Sequence, residues 1–311
     1  MIKETDGDYF EDMRSLNQEL TFEATKEEFQ KKIQEGVRIL DGATGSNLRA
    51  AGMPKGCCTE QWVLENPGPL VALQRAYAAA GSQIIYAPTF QAQPIALKAV
   101  GMDAQTEKIN EALVALSRSA APGCLIAGDL TTLAVYCDSW NPDCFDLLVE
   151  NYRRQIRGLI DGGADLLIGE TLLYAQEAEA ILTAAELEGA GAAMYSFTLQ
   201  SDGALLSGAD GGKVLHDLEA AGAAAVGFNC VAADMMTPHL VSKLRRSVKV
   251  PLICKPNAGI PTINDQGVAE YAQTPEEFTE IMLQCRDNGA ALLGGCCGTT
   301  PAFIAALAKS L

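Results

Sequence analysis

One phrase recurs four times along the chain: small residues with a glycine, then an apolar run rich in strand formers. It reads AAGSQIIYAP at 79–88, DGGADLLIGE at 161–170, AAGAAAVGFN at 220–229 and DNGAALLGGC at 287–296. Each copy follows a stretch of helical periodicity, so the glycine caps a helix and the run behind it is a strand buried on both faces. Further strands are predicted at VRIL before Asp41, CLIAG before Asp129, AMYSFT from Ala193 and PLICK from Pro251. Helices are predicted over 69–80, 103–119, 143–161, 175–188, 236–247 and 275–287, the last opened by the cap signal TPEEF. Eight alternations match a barrel of eight strands and eight helices, whose usual length is about 250 residues.

The expected fold is therefore α/β, a single (β/α)8 TIM barrel with a short N-terminal extension. A doubly wound sheet is the alternative, but no GxGxxG or GxxxxGKS/T turn follows the first strand, where a nucleotide fold needs its phosphate loop. Residues 1–21 are acidic and aperiodic and read as a loose arm, and residues 22–311 read as the barrel domain. Within the latter, ATKEEFQKKIQEG from Ala24 is predicted to be a capped helix closing the barrel's bottom.

Charge narrows the partners. Lysine and arginine number 23 against 39 aspartates and glutamates, a net charge of −16. Such a surface disfavours nucleic acid and anionic membranes, which attract basic patches. No apolar run is long enough to span a bilayer, and the start MIKETDGDYFEDM lacks the features of a signal peptide, so a cytoplasmic location is expected. Ten cysteines in a chain of this length and location are expected to be reduced thiols.

A barrel keeps its chemistry at the C-terminal ends of its strands. Read in order, those ends carry Asp41, Thr89 and Phe90, Asp129, Glu170 and Thr171, Ser196 and Thr198, Cys230, Asn257, and Cys296 with Cys297. Three thiolates suit a catalytic zinc, which keeps three protein ligands and one open position. Neighbouring strand residues point to opposite faces, so Cys296 and Cys297 can share an ion only if the chain turns there, as flanking Gly294, Gly295 and Gly298 permit. Packing or a disulfide would equally account for the trio on these grounds. Cys124, Cys254 and Cys285 read as core filling, and Cys57, Cys58, Cys137 and Cys144 fall in loops or at a helix start. His216 and His239 lie in helical stretches, away from the strand ends.

The segments LDGATGSNL, APTFQA, the Gly128–Asp129 pair, the Glu170–Thr171 pair, GFNC, KPNAG and GGCCGTTP together resemble the homocysteine S-methyltransferase family. The similarity runs from about Val37 to the C-terminus and extends to the homocysteine-binding zinc module of cobalamin-dependent methionine synthase. It implies that Cys230, Cys296 and Cys297 ligate zinc and that Asp41 and Glu170 hold the amino group of homocysteine. Without the resemblance, those carboxylates would read as a loop turn and a helix N-cap. Thr89, Ser196 and Asn229 complete the expected substrate pocket, a hydroxyl or backbone amide taking the carboxylate.

The resemblance also implies the reaction: methyl transfer to the homocysteine thiol, forming methionine. KPNAGIP and GGCCGTT favour a methylcorrinoid donor. The chain has no DxHxxG cobalamin motif, so the corrinoid is expected on a separate protein. FQAQP is closer to the small-donor enzymes, which keeps S-methylmethionine or S-adenosylmethionine as the alternative. A third reading, of another class, is a non-catalytic zinc- or thiol-binding subunit.

Overall fold

The structure is a computed structural model that describes residues 31, 36–264 and 269–311. The expected N-terminal arm lies outside the described residues, as does nearly all of the helix expected from Ala24.

All eight expected strands form. They are β1 (Arg38–Ile39), β2 (Ile84–Tyr86), β3 (Leu125–Thr131), β4 (Leu166–Leu172), β5 (Ala193–Phe197), β6 (Ala225–Ala232), β7 (Leu252–Asn257) and β10 (Leu292–Leu293), all parallel. Two further short strands, β8 (Thr262–Ile263) and β9 (Ala269–Glu270), pair antiparallel in the loop after β7. The parallel strands run β1-β10-β7-β6-β5-β4-β3-β2, and a parallel bridge between Leu40 and Ile84 joins the two ends. That sequential, closed order is a barrel and excludes the doubly wound alternative.

Alternation along each strand builds two apolar layers. Leu40, Ile84, Ala127, Ile168, Met194, Ile253 and Leu292 pack together inside the ring. The residues between them, such as Ile85, Ile126, Leu167, Val226 and Cys254, pack outward against the helices with Tyr152, Leu159 and Phe278. Burial of each such large side chain stabilises the fold by about 1.5–3 kcal/mol.

Helix starts follow local chemistry. The helix Pro275–Asp287 opens on the expected capping box, with the Thr274 hydroxyl accepting from the Glu277 amide at 3.2 Å and Glu277 accepting from the Thr274 amide at 2.9 Å. The helix Gly211–Ala220 is the helical stretch expected around His216, ahead of the glycine at 222, and it opens on its cap Asp210. Among the described residues, Gly45–Ala50, Thr59–Glu65, Pro94–Leu97 and Pro301–Ser310 are helices that were not expected, and the first three are too short to show a period.

Candidate active site

Strand ends bring the chemistry to the C-terminal mouth. Asp41 follows β1, Glu170 lies in β4, Asn229 and Cys230 lie in β6, Lys255 lies in β7, and Cys296 and Cys297 follow β10.

The sulfurs of Cys230, Cys296 and Cys297 lie within 4.8 Å of one another. Thiolates sharing a single ion at about 2.3 Å stand about 3.8 Å apart, so this trio fits a common tetrahedral metal. None of the ten cysteines forms a disulfide, which removes that alternative. Hydrogen bonds from Cys230 and Cys296 draw the Cys297 thiol down to about 3, while the same network pushes Cys230 up. Cys297 is therefore the thiol of the trio that ionises most readily, Cys296 being raised as well.

Three backbone devices gather these sulfurs. Cys230 itself adopts a left-handed conformation, φ 57°, where the β6–β7 register shifts between Asn229 and Ala232. The Cys296 amide donates to the Pro256 carbonyl at 2.7 Å, and the Cys297 carbonyl accepts from the Ala258 amide at 2.9 Å, lacing the pair to the end of β7. Gly298 turns the chain at φ 82°, and a Cβ there would lie 2.3 Å from the Tyr271 ring. Gly294 and Gly295 serve differently than expected. Neither has positive φ, but a Cβ would meet Leu40 at 2.7 Å or Thr299 at 2.5 Å, so they are needed for space.

Near Cys296 sits a buried charge cluster. The Lys255 ammonium stands 3.1 Å from Glu170 Oε1 and 3.5 Å from Asp41 Oδ1, with the Tyr86 ring centroid 4.7 Å away. Asp41 Oδ2 accepts from the Tyr86 amide at 2.8 Å. Burial pushes the Asp41 carboxyl up to about 7 against the pull of Lys255, and it raises Glu170 as well. Burial also disfavours the Lys255 ammonium, yet Glu170 and Asp41 outweigh it and hold that group well above its ordinary value. Asp129 is buried with Oδ1 unpartnered, and burial with the nearby Glu170 raises it strongly.

The remaining expected pocket residues face the protein itself. The Thr89 hydroxyl donates to the Asp129 carbonyl at 2.9 Å and accepts from the Asp129 amide at 3.0 Å. Ser196 donates to Asn229 Oδ1 at 2.9 Å. Each hydroxyl has one proton, already committed, so neither can donate to a substrate carboxylate as expected. Asn229 Oδ1 also accepts from the Thr171 amide at 2.9 Å, while Nδ2 donates to the Thr171 hydroxyl at 2.7 Å and approaches Cys296 Sγ at 3.9 Å. Its amide braces the thiol cluster. Nor is Glu170 a helix cap, since the cap of the following helix is Tyr174, four residues on.

The sequence placed Asp129 and Thr171 at strand ends without giving them a role, and it did not mark Lys255 or Tyr271. A lysine closing the apolar run PLIC was the available signal, because an unpaired charge is rarely buried. Tyr271, whose phenol hydrogen-bonds Cys297, lies in the loop after β7, and nothing in its spacing marks it.

A parallel barrel with a trio of thiols facing buried carboxylates at its catalytic mouth is an enzyme architecture. The homocysteine S-methyltransferase family profile matches residues 38–311, and the chain belongs to that family of enzymes. The homocysteine methyltransferase MmuM from Escherichia coli, in its metallated form, superposes with a TM-score of 0.78 at 28% identity, covering 91% of this chain and all of that one. Its apo form gives 0.70 over 89% of this chain and 96% of that one, at 28% identity. Methionine synthase from Mycobacterium tuberculosis is 26% identical over 300 residues, 90% of this chain. The chain spans 25% of that protein's length.

Proposed function

We propose that this chain is a zinc-dependent methyltransferase that moves a methyl group to the thiol of homocysteine, forming methionine. The observation that carries the reading is the meeting of Cys230, Cys296 and Cys297 within 4.8 Å at the mouth of a barrel that also buries Asp41 and Glu170, both against Lys255, at its strand ends. An all-thiolate donor set suits zinc, and a metallated relative supports a metal here. Bound zinc would favour the thiolate form of the acceptor sulfur, the nucleophilic form.

The chain's own groups do the rest. Asp41 and Glu170 hold the acceptor's ammonium and so aim its thiol at the cysteines. Asn229 keeps Cys296 in place through its bonds to Thr171. Three free thiols in one site require a reducing compartment, which fits a cytoplasmic enzyme. Among the described residues, no helix is long and apolar enough to cross a membrane.

For the donor, the reading is a methylcorrinoid carried by a separate protein. Trp140 after β3, Leu206 after β5, Met235 and Met236 after β6, and Ile260 and Ile263 after β7 are all exposed on the loops that follow strand C-termini. Large apolar side chains concentrated around a catalytic mouth suit contact with another protein. FQAQP after β2, closer to the small-donor enzymes, and the similarity over the whole MmuM homocysteine methyltransferase chain support the second reading of a free small donor, S-methylmethionine or S-adenosylmethionine.

The test is methionine formation by zinc-loaded protein given homocysteine with each donor in turn. Turnover that requires the methylcorrinoid protein supports the first reading, and turnover with the small donor alone supports the second. Absence of methionine with every donor, or turnover kept by Cys297→Ala, would sink both in favour of a non-catalytic subunit or a different site.

A further inference from the structure

Lys255 is the one lysine or arginine buried among the described residues, and it stands where the acceptor's ammonium is read to bind. Two explanations compete. The lysine either blocks the pocket as a built-in rival of the substrate ammonium, or prepares it.

Charge balance decides between them. Asp41 and Glu170 flank one ammonium, so the three ionised groups sum to −1. Two buried carboxylates alone would repel each other, and one would take up a proton and lose its hold on a cation. With Lys255 between them both can be ionised above about pH 7, and a single further ammonium then brings the cluster to neutrality. Geometry agrees. The Tyr86 ring, 4.7 Å from Nζ, backs the ammonium, and the Tyr86 amide fixes the far oxygen of Asp41. Asp41 Oδ1 and Glu170 Oε1 are buried and face Nζ at 3.5 and 3.1 Å, and a carboxylate oxygen has two lone pairs, so each keeps capacity for a second donor beside the lysine.

We propose that Lys255 is a positioning residue for acceptor recognition, holding Asp41 and Glu170 ionised and aligned so that the pocket carries one net negative charge for one substrate ammonium. This rests on the reading that those carboxylates bind the amino group of homocysteine. It explains why the one buried cation among the described residues stands in the middle of an acidic pocket.

The test is calorimetric binding to zinc-loaded protein at pH 8, using homocysteine and 4-mercaptobutyrate, which lacks the amino group. Wild type is expected to bind homocysteine at least about tenfold more tightly, the worth of a charged hydrogen bond. If it does not, the amino-group reading fails before Lys255 is at issue. Lys255→Met is expected to weaken homocysteine by about tenfold and to leave 4-mercaptobutyrate within about threefold, and Lys255→Arg to recover most of the loss. Tighter or unchanged homocysteine binding by Lys255→Met, or equal weakening of both ligands, overturns the proposal.

A proton count on wild type serves if the variants do not fold. Binding in two buffers of different ionisation enthalpy should show close to one proton released per homocysteine, from its thiol. A second released proton would mean that a carboxyl had been protonated, contradicting the proposal. The groups facing Lys255 in that count are Asp41, Tyr86, Asp129, Glu170 and Cys296.

Discussion

Asn229 and Thr171 hold each other by two hydrogen bonds, the asparagine oxygen accepting from the threonine amide at 2.9 Å and its nitrogen donating to the threonine hydroxyl at 2.7 Å. Thr171 and Cys230, the residue after Asn229, are the two non-glycine residues with positive φ among those described, at 59° and 57°. Each sits at a register shift, one in β4 and one in β6. The asparagine thus clamps two strained bends, one next to a carboxylate and one at a thiol, and the strain is retained because the clamp over-determines it.

Asn229→Ala should therefore act on the metal site more than on the fold. Loss of the buried bonds costs about 1–3 kcal/mol of stability. Zinc affinity should fall by about 10–100-fold, as for groups that orient metal ligands. Chelator competition on wild type and variant checks this, and an unchanged affinity contradicts the clamp.

Gly298→Ala should be more damaging than its size suggests. A left-handed alanine costs about 1–2 kcal/mol in the backbone alone. Its Cβ would also press on the Tyr271 ring at 2.3 Å, next to Cys297. The expected result is a lower Tm together with reduced zinc retention, measured by thermal denaturation and metal content. Gly45→Ala, where a Cβ meets nothing within 4 Å, is the control.

Acceptor binding should depend on pH through Asp41. Its carboxyl sits at about 7 in the fold against an ordinary value of 3.8, so the folded protein carries an extra proton there between those values. Its contribution to stability is fully present below about pH 4 and is lost as pH rises through about 7. The ammonium site gains its charge over the same rise, so homocysteine should bind more tightly up to about pH 7 and then level off. The ratio of homocysteine to 4-mercaptobutyrate affinity, measured from pH 5.5 to 8.5, isolates this effect from thiol ionisation, and a flat ratio contradicts it.

A protein donor makes a prediction at the rim. Trp140→Asp and Met235→Asp, both at exposed positions, should raise KM for the methylcorrinoid protein by about five- to tenfold while KM for homocysteine is unchanged. Equal KM values for wild type and variants would move the donor toward a small molecule.

The eight strands were legible because a strand covered on both faces leaves an unbroken apolar run, and the glycine caps punctuate those runs at regular intervals. The cysteines were legible because glycine-flanked thiols at two strand ends are chemically unusual. Lys255 was not, because the run PLICK shows a charge without showing which way barrel curvature turns it. Nor was the role of Thr89 or Ser196. Their positions at strand ends were right, but which partner takes a hydroxyl proton is decided by neighbouring strands far away in sequence. The left-handed turn at Cys230 carries no residue signature, since cysteine there is chosen for its sulfur.

The most direct measurement is zinc per chain, by mass spectrometry, on protein purified under reducing conditions beside Cys230→Ala and Cys296→Ala. One zinc in wild type, lost in both variants, is the predicted result. A folded, reduced wild type that holds no zinc, or variants that keep it, would contradict the three-thiolate site and the methyltransferase mechanism built on it.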